Sequence, residues 1–113
     1  MGKLLRLLGL IAALAPVTLG QDSPRMRTVE PGNGKAGDEL TVSGENLDIK
    51  FVRKLYLTDG KNDIEMQVTQ QTNESIKFKI APKTKPGRYS LMVLTAEKAP
   101  KLIEQPVRCT VDQ

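Results

Sequence analysis

Apolar side chains in this chain recur at every second position, in short runs broken by glycine, proline and polar clusters. Nowhere do they recur at helical spacing for three turns. Successive residues of a strand point to opposite faces, so this alternation describes strands with one face buried and the other in water. Ile76, Phe78 and Ile80 alternate with Lys77 and Lys79, and Leu40, Val42 and Gly44 with Thr41 and Ser43. Ile64, Met66 and Val68 form another such run. In 52–58, Leu55 and Leu57 face inward while Lys54, Tyr56 and Thr58 face out; in 88–95, Tyr89, Leu91 and Val93 take one face and Ser90, Met92 and Leu94 the other. A first short edge strand is expected at 28–30, ended by Pro31, and a last strand at about 102–111 with Val107, Cys109 and Val111 on one side. Pro106 lacks a ladder donor and marks an edge or a bulge there. Asp59-Gly60 is a hairpin-type dipeptide, and polar clusters at 70–74 and 81–87 separate the later strands. The pattern predicts an all-β sandwich of about seven strands.

Residues 1–20 read differently. Lys3 and Arg6 precede an apolar run at 7–19, and Thr18 and Gly20 supply small residues before a cleavage point. The run is shorter than the roughly 20 apolar residues that cross a bilayer, so a signal peptide cleaved after Gly20 is expected, and a membrane attachment only if it stays uncleaved. The expected organisation is a signal peptide at 1–20, a polar leader at 21–27 containing Pro24, and one domain at 28–113. Export makes the protein secreted, periplasmic or displayed on the cell surface.

Composition excludes more than it selects. The chain has 17 basic and 13 acidic side chains, a net charge of +4 that falls to +2 once Lys3 and Arg6 leave with the signal. So small an excess, on an exported protein, argues against a nucleic-acid partner. There is no histidine, hence no imidazole to activate a serine or cysteine nucleophile, and no tryptophan. Triad hydrolysis lacks its base, and no strand presents paired carboxylates beside aromatic platforms. No catalytic, metal or cofactor-binding residues are assigned. Asp59, Asn62 and Asp63 lack the alternating spacing and later glutamate of a calcium loop and read as a solvated turn. Asn73-Glu74-Ser75 is a formal glycosylation acceptor in a turn. Cys109 is the only cysteine, so it forms no bridge within the chain. It reads either as a small buried hydrophobe between Val107 and Val111 or as an intermolecular bridge, which keeps a weak homodimer open.

The string PGNGKAGDELTVSGENL, with a later PGRYSLMVLT, resembles the IPT/TIG family of immunoglobulin-like domains. The matching positions are Pro31, Gly34, Gly37, Leu40, Val42, Gly44, Asn46, Leu47, Pro86, Gly87, Tyr89, Leu91 and Val93. The resemblance covers essentially all of the chain after the leader; Leu57-Thr58 stands where the family has an aromatic-glycine pair. It implies an early-set immunoglobulin-like β-sandwich, an interaction or spacer role in surface and secreted proteins, and no shared catalytic residues. The family's spread suggests a bacterial source.

Two surfaces are candidates. Met92 and Leu94 face away from the core with Tyr56 beside them, giving an apolar patch rimmed by Lys54, Arg108 and Thr110, the enrichment that interface cores show. Lys77, Lys79, Lys83, Lys85 and Arg88 form a basic run along one strand face and its following loop, able to meet an anionic glycan or membrane surface. The expected function is a non-catalytic binding module that meets another protein or cell-envelope component through a sheet face or edge. The alternative is a carbohydrate- or polyanion-binding module using the basic 77–88 region.

Overall fold

The computed structural model describes residues 23–113 and is all-β. The expected signal peptide and the first two residues of the expected leader lie outside the described residues. The chain runs β1 (Arg25–Glu30), β2 (Asn33–Lys35), β3 (Glu39–Glu45), β4 (Val52–Thr58), β5 (Asp63–Glu65), β6 (Gln67–Gln71), β7 (Ser75–Lys79), β8 (Gly87–Thr95) and β9 (Leu102–Asp112). One sheet has the order β1-β3-β7-β6 and the other β2-β9-β8-β4-β5. All pairings are antiparallel except β9 with β2. These are the two sheets of an immunoglobulin-like sandwich, with short strands added at both edges of the second.

Nine strands stand where about seven were expected because a short strand follows Pro31, where none was expected, and one expected run serves both sheets. The chain changes sheets at Pro31: β1 pairs with β3, while β2 pairs with β9. The run through Ile64, Met66 and Val68 breaks at Met66. Its first part pairs with β4 and its second with β7, and Met66 is buried at the seam with its N–H donating to the Leu55 carbonyl at 2.8 Å. Alternation alone does not distinguish one long strand from two that switch sheets, since side-chain parity continues across the break.

β1 also begins at Arg25, inside the stretch expected to be leader. Met26 is buried, and its N–H donates to the Gln105 side-chain oxygen at 2.8 Å. Pro24 therefore precedes the strand and does not prevent it. β1 passes close over β3: a Cβ on Gly44 would fall on the Arg25 carbonyl oxygen and lie 2.8 Å from the Met26 Cα. Gly44 is thus required by a backbone approach. After it the chain turns through Asn46 at a positive φ of 57° and drops Leu47 into the core.

Between the sheets, Leu40, Val42, Leu47, Leu55, Leu57, Ile76, Phe78, Ile80, Leu91 and Val93 are sealed from solvent. Tyr89 caps one end of this core with its ring inside, and its hydroxyl donates to the Lys85 carbonyl at 2.7 Å. That is the tyrosine corner characteristic of immunoglobulin-like domains. Burial raises the Tyr89 pKa above its ordinary value. Cys109 is a free thiol, also buried, and desolvation pushes it up to about 11. A neutral, enclosed thiol is a poor nucleophile.

Candidate functional site

The outer face of the five-stranded sheet is built in cross-strand rows. Tyr56 on β4 faces Met92 on β8, which faces Glu104 on β9; on the other side Tyr56 faces Glu65 on β5. The next row is Lys54, Leu94 and Leu102. In the other direction come Asp63, Thr58, Ser90 and Arg108, and then Arg88 opposite Thr110. Tyr56, Met92 and Leu94 therefore stand together, with Lys54 and Arg108 at the margins. Met92 itself is only 8% exposed, because it lies at the sheet centre with side chains on all sides. The accessible apolar surface comes from half-buried Tyr56 and Leu94, together with Leu102, which is 53% exposed. Leu102 was not among the expected patch residues. Its even parity against buried Val107 and Cys109 was the available signal. Lys54 and Glu65 approach to 3.7 Å beside Tyr56 and frame the strip on one side.

β9 owes its shape to a bulge. Glu104 faces Met92 and Arg108 faces Ser90, so four residues of β9 span two of β8, with Pro106 inside the irregularity. Side-chain parity survives, and Gln105 turns inward, 5% exposed, where it accepts from Met26 and its amide nitrogen lies 3.5 Å from the Pro24 carbonyl oxygen. One amide side chain thereby joins the last strand to the first across the sandwich edge. Inward polar parity was its only sequence signature.

The basic residues do not share one surface. Lys77 and Lys79 lie on the outside of the four-stranded sheet, opposite Thr41 and Glu39. Lys83 and Lys85 follow in the connecting loop and line a groove of ≈ 700 Å³ that also holds Asp59 and Asp63. Arg88 lies on the outside of the other sheet. In the Asp59 turn, one carboxylate oxygen accepts the N–H groups of Asn62 at 2.7 Å and Lys61 at 2.9 Å, and these bonds hold its pKa below the usual value. That carboxylate is satisfied by its own turn.

No family model matches this chain, and no curated protein does. Solved structures with the same fold are found among proteins of Bacteroides. One is a structural-genomics protein of unknown function from Bacteroides thetaiotaomicron, 21% identical with a TM-score of 0.65 over 80% of this chain and 22% of that one. Another is SGBP-B of the Bacteroides ovatus mixed-linkage glucan utilization locus, in complex with a mixed-linkage heptasaccharide. It is 14% identical, with a TM-score of 0.58 over 94% of this chain and 24% of that one. A third is an auxiliary nutrient binding protein from Bacteroides ovatus, 19% identical with a TM-score of 0.56 over 81% and 21%. The chain thus spans between a fifth and a quarter of these proteins' lengths, and the likeness establishes an immunoglobulin-like sandwich of the kind they contain.

Proposed function

We propose that this chain is a non-catalytic, exported binding module of the IPT/TIG type that docks another cell-envelope protein on the outer face of its five-stranded sheet. The observation that carries the reading is the strip of Tyr56, Leu94 and Leu102 over buried Met92, on a face whose remaining residues are mostly charged or polar. An apolar centre with a polar rim is the anatomy of a protein interface. The sandwich keeps its fold through the inner faces alone, which leaves this strip available. The names of the structural neighbours, a glycan-utilization protein and a nutrient-binding protein, support an envelope setting and a binding role for the wider proteins. A polyanion site spread over Lys77, Lys79, Lys83, Lys85 and Arg88 receives less support, because those residues are divided between two sheets and a mixed-charge groove. Sugar stacking would depend on Tyr56 and half-buried Phe51, since Phe78 and Tyr89 are enclosed.

Leu94→Glu with Leu102→Glu places two charges on the strip without touching the core. Immobilised wild-type protein is expected to retain a defined envelope protein that the double variant, with unchanged circular dichroism, does not. Equal retention of that protein by both would refute docking on this face.

A further inference from the structure

The polar end of the same sheet face holds a second feature. Arg88 and Arg108 stand on adjacent strands, diagonal to one another on the outer side, Arg108 facing Ser90 and Arg88 facing Thr110. Neither guanidinium makes a hydrogen bond or ion pair with any described residue. Like charges so placed on a sheet repel unless something neutralises them. Together with Thr58, Ser90, Asp59 and Glu104 they line a cleft of ≈ 200 Å³. Ser90 is 9% exposed and its hydroxyl has no partner among the described residues. The Thr58 oxygen accepts the Gly60 N–H at 3.1 Å, which leaves its own hydrogen to donate. Arg108 owes its position to the β9 bulge, whose Gln105 is tied to β1. Bulges commonly re-aim a side chain beside a functional site.

We propose that this cleft is a subsite for a sugar acid, with the carboxylate of a uronic acid residue held between Arg88 and Arg108 and its ring hydroxyls bound by Ser90, Thr58 and Glu104. Guanidinium forks match the plane and spacing of a carboxylate. The acidic side chains in the cleft select among anions. Glu104 accepts hydrogen bonds from sugar hydroxyls, which the carboxylate side chains of an acidic peptide do not offer, so a ligand with one carboxylate and several hydroxyls on each residue fits both halves of the lining. The cleft is smaller than the roughly 300 Å³ at which pockets begin to enclose whole ligands, and it opens along the sheet. It therefore suits one residue of a longer chain crossing the face. This inference goes beyond protein docking and uses different residues, so either can fail alone.

The test is a titration of the full domain with hexagalacturonate, cellohexaose and hexaglutamate, following the side-chain Nε–H resonances of Arg88 and Arg108 by NMR. Hexagalacturonate is expected to shift both saturably, and cellohexaose and hexaglutamate to leave them unmoved. Arg88→Gln and Arg108→Gln are each expected to weaken binding about tenfold. Lys98→Gln, in a distant loop, leaves it unchanged. Equal response to cellohexaose would remove the role of the arginines, and equal response to hexaglutamate would remove the sugar. No response to any of the three, or retained affinity in Arg88→Gln and Arg108→Gln, would overturn the proposal.

Discussion

Gln105 offers a decisive test of how this sandwich is closed. Its side-chain oxygen accepts the Met26 N–H at 2.8 Å, and Met26 is 1% exposed, so no water replaces the bond if the amide is removed. In Gln105→Ala a buried backbone N–H is orphaned at about 1–3 kcal/mol. Loss of the enclosed methylene adds about 1 kcal/mol. The expected cost is about 2–4 kcal/mol, a large part of the stability of a domain this small. With a urea m-value of about 1 kcal/mol/M the unfolding midpoint falls by at least ~2 M, and hydrogen exchange at the Met26 amide, protected in the wild type, becomes fast. Gln105→Glu separates acceptor from donor. The introduced carboxylate still accepts from Met26 but faces the Pro24 carbonyl oxygen, so burial raises its folded pKa above the unfolded value of about 4.3. The variant is then least destabilised at low pH, and its deficit grows as pH rises through the folded pKa. A cost below about 0.5 kcal/mol in Gln105→Ala, with the Met26 amide still protected, would refute the view that this side chain joins the two edges.

Two further outcomes follow from the same structure. Cys109 has its pKa raised to about 11 by burial, against 9.0 for the free thiol, so the folded state resists ionisation. The stability this represents is complete below pH 9 and is lost as pH rises toward about 11, and the pH-stability curve of Cys109→Ala should be flatter in that window by up to roughly 3 kcal/mol; parallel curves would show that the thiol ionises without penalty. Gly44→Ala sets a methyl group against the β1 backbone and should cost at least ~2 kcal/mol by denaturant unfolding, whereas a change under 0.5 kcal/mol would mean that β1 shifts freely.

Much of the fold was legible because parity is a local property. Ile76, Phe78 and Ile80 alternate without interruption, and all three are buried; Tyr89, Leu91 and Val93 likewise point inward while Ser90, Met92 and Leu94 point out. What parity does not encode is which sheet a strand joins. The changes at Pro31 and Met66 depend on contacts made far along the chain, so a strand at 33–35 was missed and one expected strand became two. Leader residues 25–27 became strand for the same reason: the partner of Met26 is Gln105. At the candidate site, the outward direction of Tyr56, Met92 and Leu94 followed from alternation, but accessibility did not. Central Met92 is covered and marginal Leu102 is open, which only the sheet order decides. The basic run likewise looked continuous from Lys77 to Arg88, although the loop between them carries the chain from one sheet to the other.

Docking on the outer face of the five-stranded sheet would leave that face covered in the native envelope. It is tested most directly by labelling single cysteines in situ, on a Cys109→Ala background, with a membrane-impermeant maleimide. Leu102→Cys should label rapidly in the purified domain and slowly in the native envelope, while Lys77→Cys on the opposite sheet labels at the same rate in both. Equal labelling of Leu102→Cys in both settings would contradict the claim.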